Sequence, residues 1–399
     1  MRSEFLAFSP PWITEAEIDA VVDTLRSDWI TTGPKVREFE QRFAEYIGTS
    51  AAHGVSSCTD ALQIALAAIG VGRGDAVFAP TMTFAATTNV VDHLGATPVL
   101  CDVQRDSLNL DPNSLRTQIE RVLAEGELTP KAVTPVHYAG QPCDMDEIVA
   151  VAAEYGLPIV EDAAHSLPAE YQGRMIGADR SDDPVPRLAA FSFYATKNLT
   201  TAEGGMLTGP EELIDEARLW SLHGMSRDAW KRYGSGGSWF YEVVRPGFKC
   251  NMTDIAAAIG LVQLDRLEGF QERRREVAAA YADGLGDLPL DLPTAATDRS
   301  SAWHLYPIRL REGGAEARQA LIEHMGDQKI GTSVHFIPIH LHPWYRDTFG
   351  YQSEDFPVAF AEYQRLVSLP MHPRLSDEDV DDVITAVRKG IESGNSAVA

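Results

Sequence analysis

Short β-branched runs alternate with helical segments through the first half of the chain. That alternation confines it to βαβ units, hence to a mostly parallel sheet covered on both faces. The expected strands are Ala76–Ala79, Thr97–Asp102, Ala132–Val136, Pro158–Asp162, Leu188–Phe193 and Met206–Thr208. Helices are expected at Asp60–Ile69, Ala85–His93, near Pro112–Leu123 and at Met145–Tyr155. Two amphipathic helices precede them, Ala16–Leu25 behind Thr14-Glu15 and Val36–Tyr46 opened by Pro34. A long helical pattern from Thr253 to Tyr281 then forms a bridge. After Pro289 and Pro293 come strand Trp303–Leu310, helix Ala315–Met325, strand Gly331–Phe336 and helices near Val358–Leu366 and Ser376–Ser393. This reads as a large α/β domain over residues 1–265, with a helical N-terminal arm, and a smaller α+β domain over 266–399.

Charge narrows the partners. The chain carries 34 basic and 58 acidic residues, a formal net charge of −24. Such a surface neutralises no extended row of phosphates, which argues against nucleic acid or an anionic membrane as partner. A small anion held by a few local donors remains compatible. Cys58, Cys101, Cys143 and Cys250 lie far apart with no C-x-x-C, suggesting neither a zinc site nor a disulfide framework. The opening MRSEFLAFSPPW lacks the apolar region of a signal peptide, and no apolar run reaches the ~18–20 residues of a membrane helix. A cytoplasmic location is expected.

Several local patterns carry chemistry. Ser56-Ser57-Cys58-Thr59-Asp60 leads into an apolar helix, which Thr59 or Asp60 can cap and whose free N–H groups suit an anion. A plain helix cap is the alternative. Gly70, Gly72 and Gly74 follow a helix instead of a strand, so they read as a turn and not as a dinucleotide loop. Glu161 and Asp162 end a strand, where open α/β sheets bind ligands, and His165 follows. No second cluster completes a metal site around them. Only seven of the 34 basic residues are lysines, so Lys197, between a buried strand and the pair Gly204-Gly205, stands out. Enclosure there would lower its amine's pKa and hold it near a carbonyl; a solvated lysine is the alternative. A Schiff-base lysine, an Asp facing a pyridine nitrogen and a phosphate cradle are together the needs of pyridoxal phosphate.

The motifs SSCTDAL, TMTFAAT, VHYAGQP, EDAAH, FSFYATKNLTTAEGG and HGM resemble, in order, those of the DegT-type nucleotide-sugar aminotransferases. The likeness runs from the TTGP loop near Thr31 to VHFIPIH near His335. It implies a fold-type I pyridoxal phosphate (PLP) enzyme, with a mostly parallel seven-stranded sheet between helices. Carried over by position, Lys197 would hold PLP as the internal aldimine and shuttle the proton. Asp162 would face the pyridine nitrogen, Phe84 would stack on the ring and His165 would sit by the phenolic oxygen. Ser57, Cys58, Thr59 and Ser192 would bind the phosphate. The resemblance also implies a homodimer with shared active sites, the segment Pro246–Asp254 reaching across. Lys249 and Asn251 of that segment would bind the cofactor phosphate of the partner's site, where many relatives have asparagine and arginine. Segment Ala178–Leu188 is longer than in the relatives.

VHYAGQP, AWHLYPI and GTSVHF are closest to members that aminate C4 of a nucleotide-linked 4-keto sugar. The expected reaction takes the amino group from L-glutamate in two ping-pong halves. Thr31 in the Trp29–Gly33 loop, His335 and the basic residues around Arg227–Arg232 are candidates for holding sugar or diphosphate. A 3-keto nucleotide sugar or a cyclitol ketone is the alternative acceptor. A non-catalytic sensor on the same scaffold is the alternative of another class.

Overall fold

The computed structural model describes residues 2–180, 182–226, 240–294 and 296–398. Helices α1 (Glu15–Arg26) and α2 (Pro34–Ile47) precede β1 (Ala51–Val55), α3 (Cys58–Ala68), β2 (Asp75–Pro80), α4 (Ala86–His93) and β3 (Thr97–Cys101). Next come α5 (Pro112–Glu125), β4 (Thr129–Val133), α6 (Met145–Glu154) and β5 (Ile159–Asp162). Two short strands, β6 (Glu170–Tyr171) and β7 (Arg174–Met175), lead to β8 (Arg187–Ser192), β9 (Gly205–Gly209) and α7 (Glu211–Ser221). Helix α8 (Asp254–Leu285) is followed by β10 (Leu290–Asp291), β11 (Arg299–Ser300), β12 (Tyr306–Leu310) and α9 (Gly314–Asp327). The chain ends through α10 (Pro343–Phe349), α11 (Pro357–Tyr363), β13 (Leu366–Leu369) and α12 (Asp377–Val398).

The main sheet has seven strands in the order β1-β9-β8-β5-β4-β2-β3. Only β9 runs against the others, pairing antiparallel with both β1 and β8. Successive strand residues alternate between two cores, as the pleat requires. Phe78, Ile159 and Phe191 pack with α2, α5, α6 and α8, while Val77, Val160 and Ala190 pack with α3, α4 and α7. A second, antiparallel sheet, β10-β12-β13, packs against α9, α12 and the end of α8. Helix α8 passes through both cores, giving Ala257–Leu267 to the first and Val277–Leu285 to the second.

The departures from the sequence reading are instructive. Strand β1 was not expected, because its AAHGV sequence is not a β-branched run. Strand β4 lies at Thr129–Val133, earlier than expected. No strand spans Gly331–Phe336: only Ser333 pairs, with Ser368, before the chain turns. Strand β12 starts at Tyr306 instead of Trp303, because Ala302 and Leu305 N–H groups are taken by the carbonyls of Gly140 and Ala139. Leu366 belongs to β13 and not to the helix before it.

Buried Asp254 caps α2 from outside. Its carboxylate accepts from Gly33 N–H (2.8 Å), Val36 N–H (3.0 Å) and Lys35 N–H (3.1 Å), groups otherwise unpaired at a helix start. Asp254→Ala is expected to lower unfolding free energy by about 2–4 kcal/mol in urea titration, since it strands three donors. A loss below about 0.5 kcal/mol would contradict this role.

Candidate active site

Every parallel strand of the main sheet ends on the same side, and the loops leaving β1, β2, β4, β5 and β8 meet in one cavity of about 420 Å³. From the β1–α3 turn come Ser57, Cys58 and Thr59; from β2–α4, Phe84; from β5, Asp162 and His165; from β8, Ser192 and Lys197. His304 and His335 close it from the C-terminal side. Eight of the cofactor candidates and His335 are thus brought together.

The α3 terminus is built to hold an anion. Ser57 is the N-cap, its Oγ accepting from Asp60 N–H at 3.1 Å, so neither Thr59 nor Asp60 is the cap as expected. The Cys58 and Thr59 N–H groups are left for a ligand, since a helix's first donors have no partner within it. The Cys58 thiol itself turns away to the Ala190 carbonyl (3.4 Å). Only glycine fits beside this turn on β9: a Cβ on Gly205 would lie 2.7 Å from Cys58 N.

Asp162 is 5% exposed. Its Oδ2 accepts from Thr87 Oγ at 2.7 Å, and its Oδ1 from Ala164 N–H at 3.1 Å. Burial raises its pKa; those donors and Lys197 oppose the rise. No salt-bridge partner reaches it among the described residues, whereas its neighbour Glu161 points the other way and pairs with Arg187 (2.7 Å) and His137 (2.8 Å). An unpaired buried carboxylate on a cavity wall calls for a cation or N–H donor from a ligand.

Lys197 meets the cavity with part of its surface, but enclosure lowers its amine's pKa from 10.5 to about 8. Burial and the Lys197 charge push the His165 pKa well below its ordinary value, and that of His335 to about 4. Phe84 lines the cavity with its ring 62% exposed.

Thr31, Lys249 and Asn251 lie elsewhere, along a separate groove with Arg37 and Arg218. They form one block: Asn251 donates to Thr32 Oγ, Lys249 to Asn251, and Asp254 N–H to the Thr31 carbonyl (3.0 Å). Arg227–Arg232 fall outside the described residues. The described residues of the 178–188 segment do not line the cavity, and Asp179 holds Thr49 Oγ (3.0 Å) and Ser50 N–H at the start of β1. Sequence reasoning missed His304 as a site residue, although its AWHLYPI segment carried part of the resemblance.

The sequence profile of the DegT/DnrJ/EryC1/StrS aminotransferase family matches residues 11–388. The chain belongs to that family. It is 49% identical over 393 residues to the Bacillus subtilis spore coat polysaccharide biosynthesis protein SpsC, covering 97% of each chain. Spr1654 from Streptococcus pneumoniae, solved in a PLP form, is 36% identical and superposes with a TM-score of 0.88 over 98% of this chain and 99% of its own. The sugar aminotransferase CalS13 from Micromonospora echinospora, 26% identical, superposes with a TM-score of 0.84 over 96% of this chain and 100% of its own.

As a member of this family the protein is a PLP-dependent sugar aminotransferase of fold type I. The cavity fits PLP on its own chemistry. An unpaired buried carboxylate suits a pyridine N–H, an open helix start suits a phosphate, and an amine of pKa about 8 suits an aldehyde. No helix among the described residues is long and apolar enough to cross a membrane.

Proposed function

We propose that this enzyme moves an amino group from L-glutamate to C4 of a nucleotide-linked 4-keto sugar, with dTDP- or UDP-4-keto-6-deoxyhexose as acceptor. The observation that carries this reading is the Lys197 cavity itself. The three segments that resemble C4 aminotransferases meet there, through Val136 of VHYAGQP, His304 of AWHLYPI and His335 of GTSVHF.

Bound PLP supplies an electron sink that takes up the electrons of a breaking Cα–H bond. In the proposed roles Lys197 anchors the cofactor, then serves as the base that takes the Cα proton and returns it at the carbon being reduced. An amine with a pKa of about 8 is partly unprotonated near neutrality, as that role requires. Asp162 keeps the pyridine nitrogen protonated, and Thr87 fixes the carboxylate's direction. The Cys58 and Thr59 amides hold the phosphate with the Thr59 and Ser192 hydroxyls, and Ser57 joins them once its hydroxyl leaves Asp60 Oδ2, to which it donates at 2.7 Å. Phe84 covers one face of the ring, and His165 donates to the phenolic oxygen. His335 faces the substrate.

Thr31, Lys249 and Asn251 sit outside their own chain's cavity, which agrees with a homodimer in which they complete the partner's site. Mixing an inactive Lys197→Ala chain with an inactive Lys249→Ala/Asn251→Ala chain then restores about a quarter of wild-type activity, since half the dimers are mixed and each has one intact site. No recovery on subunit exchange would refute the shared site.

The substrate assignment is tested by aminating the enzyme with glutamate and offering a panel of 4-keto and 3-keto nucleotide sugars and a cyclitol ketone. Mass spectrometry and NMR of the product should show an amine at C4. Preference for a 3-keto sugar or cyclitol would sink the assignment while leaving the aminotransferase intact.

A further inference from the structure

Hydrogen-bond geometry fixes the proton on two of the three cavity histidines. Ala139 N–H approaches His165 Nδ1 at 3.3 Å, and an N–H can only donate. His165 therefore carries its single proton on Nε2. Ala139 is placed for this by the Tyr138–Gly140 turn, where only glycine fits at Gly140: with φ +96°, a Cβ there would meet the His165 carbonyl at 2.9 Å.

His304 has the opposite arrangement. Asn198 donates its Nδ2 to the Ala302 carbonyl at 2.8 Å, which turns its Oδ1 toward His304 Nδ1 at 3.2 Å. His304 thus holds its proton on Nδ1 and leaves Nε2 bare. The two imidazoles are in contact, centroids 4.5 Å apart and tilted by 38°, and Phe336 stacks on His165 at 5.7 Å and 19°. Both rings pack against His165.

We propose that His304, anchored by Asn198, is a positioning residue that keeps His165 a neutral donor with its proton on Nε2, available to the phenolic oxygen of PLP. The inference rests on the reading of His165 given above. Burial supports it, and the cations nearby, Lys197 and Arg274, also disfavour a second proton on His304. Arg274 is buried, donates to the Trp303 (3.0 Å) and Met371 (2.8 Å) carbonyls, and has no carboxylate partner among the described residues. A charged His304 would set a cation against His165 and beside Lys197, making both harder to protonate.

The test uses 15N-histidine-labelled protein, with and without PLP, in wild-type, Asn198→Asp, His304→Ala and His304→Phe forms of unchanged circular dichroism. Wild-type 15N spectra should show one cavity histidine protonated on Nε2 and another on Nδ1. Asn198→Asp should draw a second proton onto His304, and the pH midpoint of the bound cofactor's visible band should fall by about one unit. His304→Ala should let the His165 ring turn away from the Ala139 N–H, so that its signals average between tautomers and the glutamate half-reaction slows about tenfold, while His304→Phe, which keeps a ring against His165, recovers most of both. If the His165 signals are the same in all four proteins, His304 is only packing and the proposal falls, with the reading of His165 untouched. If they respond but the visible band never moves, His165 does not face the cofactor, and both fall.

Discussion

Lys197→Ala is expected to abolish turnover, lowering it about 10⁴-fold or more, because in the proposed mechanism one residue both anchors the cofactor and moves the proton. The measurements are the glutamate half-reaction followed in the visible band and the trapping of cofactor on the chain by borohydride. Trapping at Lys197 should disappear in the variant. A second signature follows from the amine's pKa, lowered by burial to about 8. Below that value the amine is protonated and not nucleophilic, so capture of PLP by the apoprotein should rise with pH through about 8 and not near 10.5. The same shift adds to apoprotein stability as pH rises between these values, where the unfolded chain still holds the proton and the folded one has lost it. Turnover within tenfold of wild type in Lys197→Ala would overturn the assignment.

The second large effect is expected at Asp162. Asp162→Asn keeps the shape of the side chain but removes the negative charge proposed to hold the pyridine nitrogen protonated. Turnover should fall about 10²–10³-fold, as with loss of a single electrostatic stabiliser. Stability should move the other way. Burial raises the Asp162 pKa despite Thr87, Ala164 and Lys197, so the ionised carboxylate costs the apoprotein stability near neutral pH. The neutral amide removes that cost, and the melting temperature of the apoprotein should rise or hold. A merely structural carboxylate, bonded to Thr87 and Ala164, would lose stability on the same change. Lower stability with near-normal turnover would therefore refute the role.

Much of this was legible in the sequence. The alternation of strand and helix patterns gave the layered sheet, since a strand buried on both faces must be apolar throughout and a covering helix must show its own period. Lys197 and Asp162 stood out because their chemistry contrasts with their surroundings, and both line the cavity. Strand β1 was not, because His53 and Gly54 break its apolar run. His53 is accommodated only by bonds to Glu40 (3.0 Å) and Ser221 (2.8 Å), which lie on α2 and α7. The segment from Gly331 has a strand's composition but a single pairing, because a strand needs a neighbour along its length and Ser368 provides one at only one point.

The sequence by itself determined which residues can do the chemistry, because a Schiff base, a pyridinium partner and a phosphate cradle each require particular side chains or a helix start. Only the tertiary structure decided which of them share a cavity, and in which protonation state. It set Thr31, Lys249 and Asn251 apart in another groove and brought in His304 from more than a hundred residues beyond Lys197. Protonation depends on burial and on hydrogen bonds such as Ala139 to His165 and His304 to Asn198, contacts between segments far apart along the chain. Local sequence fixes the donors and acceptors available; the packing of distant segments fixes which of them meet.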